Sequence, residues 1–135
     1  MWAKQYIGIP WVAYATGPDA YDCWGLVVHC LKTHFNIEAD RFSGVITDDH
    51  KSINRAFESE AGKKQWIEID EPIEGAVVML SLKTRFFHHI GIYTNGRVLH
   101  SRDGANVSLE SISRLKQSGF KQIRYYVHDS ILSNS

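Results

Sequence analysis

The stretch His89-Ile90-Gly91-Ile92-Tyr93-Thr94-Asn95-Gly96-Arg97-Val98-Leu99-His100 reads as two short apolar strands joined by Asn-Gly. Asn-Gly between apolar strands is the strongest short-range hairpin signal, because both turn positions need positive φ. If Asn95 and Gly96 form the loop, Thr94 opposes Arg97, Tyr93 opposes Val98 and Gly91 opposes His100. Strand alternation then places His89, Gly91, Tyr93, Val98 and His100 on one face and His88, Ile90, Ile92 and Leu99 on the other. His89 and His100 become diagonal cross-strand neighbours, about 7–8 Å apart at Cα, with only Gly91 between them. Such a pair suits a base and the group that orients it.

Working outward, Gln65–Ile69, Ala76–Leu80, His88–Tyr93, Arg97–Ser101 and Gln122–His128 read as strands, with a short helix over Leu109–Leu115. Earlier in the chain, Thr16-Gly17-Pro18-Asp19-Ala20 is punctuated as a loop. From Cys23 onward, Leu26, Val27, Cys30, Leu31 and Phe35 recur on one helical face. Asp40–Thr47 reads as loop, and a second helix spans Asp49–Ala61 with Gly62 as its stop. Helices first and strands afterwards predict an α+β domain with a mainly antiparallel sheet of about five strands. The 135 residues make one domain, 1–135, with Ser130–Ser135 as a frayed tail.

Cys23 opens the first helix, where unpaired backbone N–H groups and the positive end of the helix dipole favour thiolate over thiol. Taken alone, such a cysteine is more often a small buried residue. Beside the histidine hairpin it becomes a nucleophile with a base, His89, and an orienting group, His100. Cys30 reads as core packing. Seven residues along one helix separate the two thiols by roughly 10 Å, beyond disulfide reach, which suits a reducing compartment. Zinc is disfavoured because no Cys-x-x-Cys or His-x-x-x-His pair occurs and His88 and His89 point apart. No cofactor is expected. His29, His34, His50 and His128 show no constellation, and Trp2, Trp66, Phe86 and Phe87 read as core or cleft wall.

Fifteen basic residues balance fifteen acidic ones, so no global field draws in nucleic acid or an anionic membrane. No segment is long enough to span a bilayer, and Met1–Tyr6 lacks the features of a signal peptide. The expectation is synthesis in the cytoplasm with delivery by some other route.

Gly8-Ile9-Pro10-Trp11, Asp22-Cys23-Trp24-Gly25-Leu26, Gly75-Ala76-Val77-Val78, His89-Ile90-Gly91-Ile92-Tyr93 and Val98-Leu99-His100-Ser101 together resemble, in order and spacing, the NlpC family of papain-like cell-wall cysteine peptidases. The resemblance implies the papain-like fold, Cys23 as nucleophile, His89 as general base and His100 as third polar residue. It places Trp11, Asp22, Trp24 and Ser101 around the substrate. It implies as substrate the stem peptide of peptidoglycan, cut between D-glutamate and the following diamino acid. Trp24 in place of serine is similar to a phage and prophage tail subgroup, with tail proteins as partners and a virion or cell-wall location. Trp11 replaces the usual tyrosine, and Ala76 the usual aspartate. The alternatives are a non-catalytic or assembly component of a phage tail, a delivered antibacterial effector, and another thiol acyl hydrolase.

Overall fold

A computed structural model describes residues 1–39, 65–82 and 89–133. The loop expected at 40–47, the helix at 49–61, and His50, Phe86, Phe87 and His88 lie outside the described residues. In chain order the elements are a 3-10 helix (Trp2–Tyr6), α1 (Cys23–Phe35), β1 (Trp66–Ile69), β2 (Val77–Ser81), β3 (His89–Thr94), β4 (Arg97–His100), β5 (Ser108–Glu110), α2 (Ile112–Gln117), β6 (Gln122–His128) and α3 (Asp129–Ser133). The six strands form one sheet in the order β1-β6-β2-β3-β4-β5, and every neighbouring pair is antiparallel. Among the described residues, no helix is long and apolar enough to cross a membrane.

Two expectations are corrected. Leu109 belongs to a sixth strand rather than to a helix, and the helix begins later, at Ile112, capped by the Ser111 hydroxyl accepting from Arg114 N–H. The alternation Val107-Ser108-Leu109-Glu110 carries the strand period, but the run is short and abuts a helix-forming segment. Residues 129–133 form a helical turn where a frayed end was expected.

The β3–β4 hairpin has the register read from Asn-Gly: Thr94 pairs with Arg97, Tyr93 with Val98 and Ile92 with Leu99. Asn95 takes φ 53° and Gly96 φ 75°, the left-handed pair that this turn requires. The sheet buries both faces. Val77, Met79, Ile90, Ile92 and Leu99 pack with Leu26, Val27, Cys30 and Leu31 of α1, and Val78, Leu80 and Val98 pack with Leu115 and Phe120.

The amino-terminal segment is tied to both layers. Gly8 N–H bonds Val107 O at 2.9 Å and Val107 N–H bonds Ile9 O at 2.8 Å, which sets residues 8–10 beside the β5 end of the sheet. On its other side the Tyr6 hydroxyl lies 2.8 Å from His34 Nε2 and 3.0 Å from His29 Nε2, while Trp2 stacks on His34 with ring centroids 3.9 Å apart. His29 and His34 therefore do have a constellation, contrary to the sequence reading. Burial depresses both imidazoles, and His29 adds to the effect on His34. The hydroxyl has one proton to donate, so at least one of the two imidazoles donates to it, and the 3-10 helix is clamped to α1 by this polar contact.

Candidate active site

Cys23 is the first residue of α1. Asp22 caps the helix: its Oδ1 accepts from Gly25 N–H at 2.6 Å and its Oδ2 from Tyr14 N–H at 3.0 Å. This satisfies one of the orphan donors at the helix start and binds the preceding loop to it. Ala15 O accepts from Asp22 N–H at 3.0 Å and lies so close to α1 that a Cβ on Gly25 would come within 2.3 Å of it. Glycine at position 25 is the residue that lets the loop close over the helix.

The base strand is built with equal economy of space. A Cβ on Gly91 would meet Val98 Cγ1 at 2.6 Å and His100 Cβ at 3.1 Å, so the absent side chain lets β4 bring His100 against β3. His89 Nε2 and His100 Nδ1 are 2.8 Å apart. His100 Nε2 is 2.6 Å from Glu110 Oε2. The β4–β5 register pairs His100 with Ser108, which makes Glu110 its diagonal neighbour on the same face. Phe120 stacks on the His89 ring, with centroids 5.9 Å apart and planes 16° apart, and so restrains its orientation.

This chain of contacts determines the tautomers. A carboxylate only accepts, so His100 donates from Nε2 to Glu110 and presents a bare Nδ1. His89 must then donate from its own Nε2, which leaves its Nδ1 unprotonated and able to act as a base. Burial depresses the His100 pKa, Glu110 opposes that shift through its hydrogen bond and charge, and Arg102 reinforces it. The neutral, relay-competent form of His100 is the result.

Cys23 and His100 are tied through neighbouring residues. Ser101 Oγ donates to Tyr21 O at 2.7 Å, joining the residue after His100 to a residue two before Cys23 across 80 positions of sequence. Helix α1 also packs directly on β3 and β4. Cys23 and Cys30 form no disulfide. Cys30 is pushed up to about 12 by burial, with the Tyr6 hydroxyl opposing, so it stays a thiol.

Three residues expected at the substrate also have structural tasks. Asp22 is fully buried and occupied by the helix cap; Ser101 is fully buried and occupied by Tyr21 O. Trp24 is 3% exposed and packs in the core beneath α1. The reason is the same for all: they flank Cys23 and His100, which are themselves buried. Trp11 alone of the four remains half-buried, on the loop before Cys23. Glu110 is the functional candidate that the sequence reading missed, and the two-residue alternation of 107–110 was its available signal.

The NlpC/P60 family matches the chain over residues 8–127. Among solved structures, the NlpC/p60 domain of the peptidoglycan hydrolase SagA is 17% identical over 93% of this chain and 91% of its own, with a TM-score of 0.60. NlpC2 from Trichomonas vaginalis is 21% identical over 83% of this chain, with a TM-score of 0.58. A lipoprotein-like NLP/P60 protein from Staphylococcus aureus subsp. aureus Mu50 is 21% identical over 93% of this chain, also at 0.58. The chain spans 40% and 39% of the lengths of these last two. At such identities the likeness is one of fold. No curated protein matches the chain.

Proposed function

This chain belongs to the NlpC/P60 family, and from that premise we propose that it is a cysteine peptidase hydrolysing stem peptides of peptidoglycan. The observation that carries the reading is the chain His89 Nε2, His100 Nδ1, His100 Nε2, Glu110 Oε2, on strands against which α1, the helix that Cys23 opens, is packed. Among the relatives of similar fold, one is named as a peptidoglycan hydrolase.

In the proposed reaction the Cys23 thiol gives its proton to His89 Nδ1, and the thiolate attacks the amide carbonyl. The backbone N–H of Cys23, at the positive end of the helix, stabilises the developing oxyanion. His89, now protonated, passes the proton to the departing amine, and water then releases the acyl group from sulfur. His100 keeps the His89 ring in plane and in the right tautomer, with Glu110 holding His100. Trp11 lines the cleft. The bond is the one implied by the family resemblance, between D-glutamate and the diamino acid. Trp24 in place of serine supports a tail-associated setting, with phage tail proteins as partners.

Incubating purified muropeptides with the protein, followed by mass analysis of the products, tests activity and bond together. Cys23→Ala is expected to abolish cleavage while leaving the fold intact. Unchanged cleavage by this variant refutes cysteine chemistry; no cleavage by the unaltered protein favours a non-catalytic component with the same fold.

A further inference from the structure

Arg102 lies two residues beyond His100 and has figured so far only through its charge on that ring. Its backbone is well anchored. Ser101, next to it, is fully buried and bound to Tyr21 O, and Arg102 O accepts from Ala105 N–H at 3.0 Å in a turn just after. The guanidinium carbon sits 4.8 Å from the centroid of the Phe120 ring. That ring is the one stacked on His89. A single buried phenyl group therefore carries both the proposed base and a half-buried cation.

Among the described residues the cation has no anionic partner. Among the described residues the ion pairs are Lys32 with Glu38, His100 with Glu110, Arg124 with Glu68 and His128 with Asp129, and no side chain or carbonyl holds the Arg102 guanidinium. Glu110 is committed to His100. An exposed arginine in this condition would be ordinary, because water satisfies its donors. Arg102 differs in being partly desolvated by an aromatic face while its planar fork of donors stays unmatched, and that fork fits a carboxylate in bidentate geometry.

We infer that Arg102 binds a free carboxylate of the substrate close to the scissile amide, and so selects stem peptides in which the carboxylate nearest the cut is not amidated. The inference rests on the peptidase reading and makes Arg102 a specificity-determining residue. Arg102 lies two residues beyond His100 and close enough for its charge to act on that ring, which sets the carboxylate beside the histidine pair.

The test uses two synthetic stem peptides that differ only in that carboxylate, one free and one converted to the carboxamide, with KM and kcat measured for each. The unaltered protein should favour the free acid by roughly ten- to hundredfold in KM, the worth of a charge-assisted hydrogen-bonded pair. Arg102→Gln should raise KM for the acid to that for the amide, with any change in kcat that comes through His100 the same for both peptides, and Arg102→Lys should retain part of the preference. Equal kinetics on both peptides for the unaltered protein overturn the inference even if no variant folds. Equal loss on both peptides in Arg102→Gln also overturns it, since a charge acting only on His100 gives that result. Cleavage of neither peptide refutes the peptidase reading and this inference with it.

Discussion

Replacing Glu110 by glutamine probes the relay at the residue that only the folded chain brings into it. The substitution keeps shape and volume and removes the charge from a 2.6 Å contact with His100 Nε2. A hydrogen bond to a charged group contributes roughly 1.5–3 kcal/mol, against about 1 kcal/mol for a neutral one. Glu110 is 29% exposed, so solvent screens part of the difference. The stability loss is then about 1 kcal/mol, a few degrees in Tm for a domain of this size. The effect on turnover is larger for a geometric reason. The glutamine amide can donate to His100 Nε2, which moves the His100 proton to Nδ1 and sets it against the proton on His89 Nε2. Relieving that clash puts the His89 proton on Nδ1, where it can no longer accept one from Cys23. A loss of about 1.5–3 kcal/mol of transition-state stabilisation corresponds to a ten- to hundredfold fall in kcat, with KM unchanged. Steady-state hydrolysis of muropeptides, followed by mass-resolved chromatography alongside thermal denaturation, measures both effects. A folded Glu110→Gln protein with kcat within about twofold of the original refutes the relay; a change confined to KM assigns Glu110 to substrate contact instead.

Two further outcomes are expected. Gly25→Ala should destabilise the fold by about 1–3 kcal/mol although alanine is the better helix former, because its Cβ would meet Ala15 O, a backbone atom, at 2.3 Å; a thermal midpoint equal to or above the original would contradict the loop packing. Acidification should weaken both fold and activity. His100 is depressed by burial from 6.5, so the folded state binds its proton less readily than the unfolded chain, and stability is highest above about pH 6.5 and declines as pH falls toward the lower folded value. Protonated Nδ1 of His100 also cannot accept from His89, so kcat should fall on the same acid limb. A kcat rising with acidification between pH 7 and pH 5 would show that the sign is wrong.

Much of the site was legible because its signals are local. Asn95-Gly96 specifies a two-residue turn, the turn specifies a register, and strand parity then places His89 and His100 together without reference to the rest of the chain. The helix start at Cys23 was equally readable, from a loop-forming run followed by apolar residues at helical spacing. Glu110 was missed because three residues of alternation beside a helix carry too little periodicity to stand out.

The amino-acid order alone determined the α+β class, the hairpin and its pairing, the cysteine at a helix start and the pairing of two histidines, all set by interactions spanning a dozen residues or fewer. Only the tertiary structure decided which polar neighbours are spent on the fold. Asp22 accepts from backbone N–H groups of Gly25 and Tyr14, Ser101 donates to a carbonyl 80 residues away, and Trp24 packs in the core. Burial is a property of the assembled layers, and a polar group enclosed by them must take whatever partner the packing supplies. The same packing sets Arg102 on Phe120, where no described residue forms an ion pair with it.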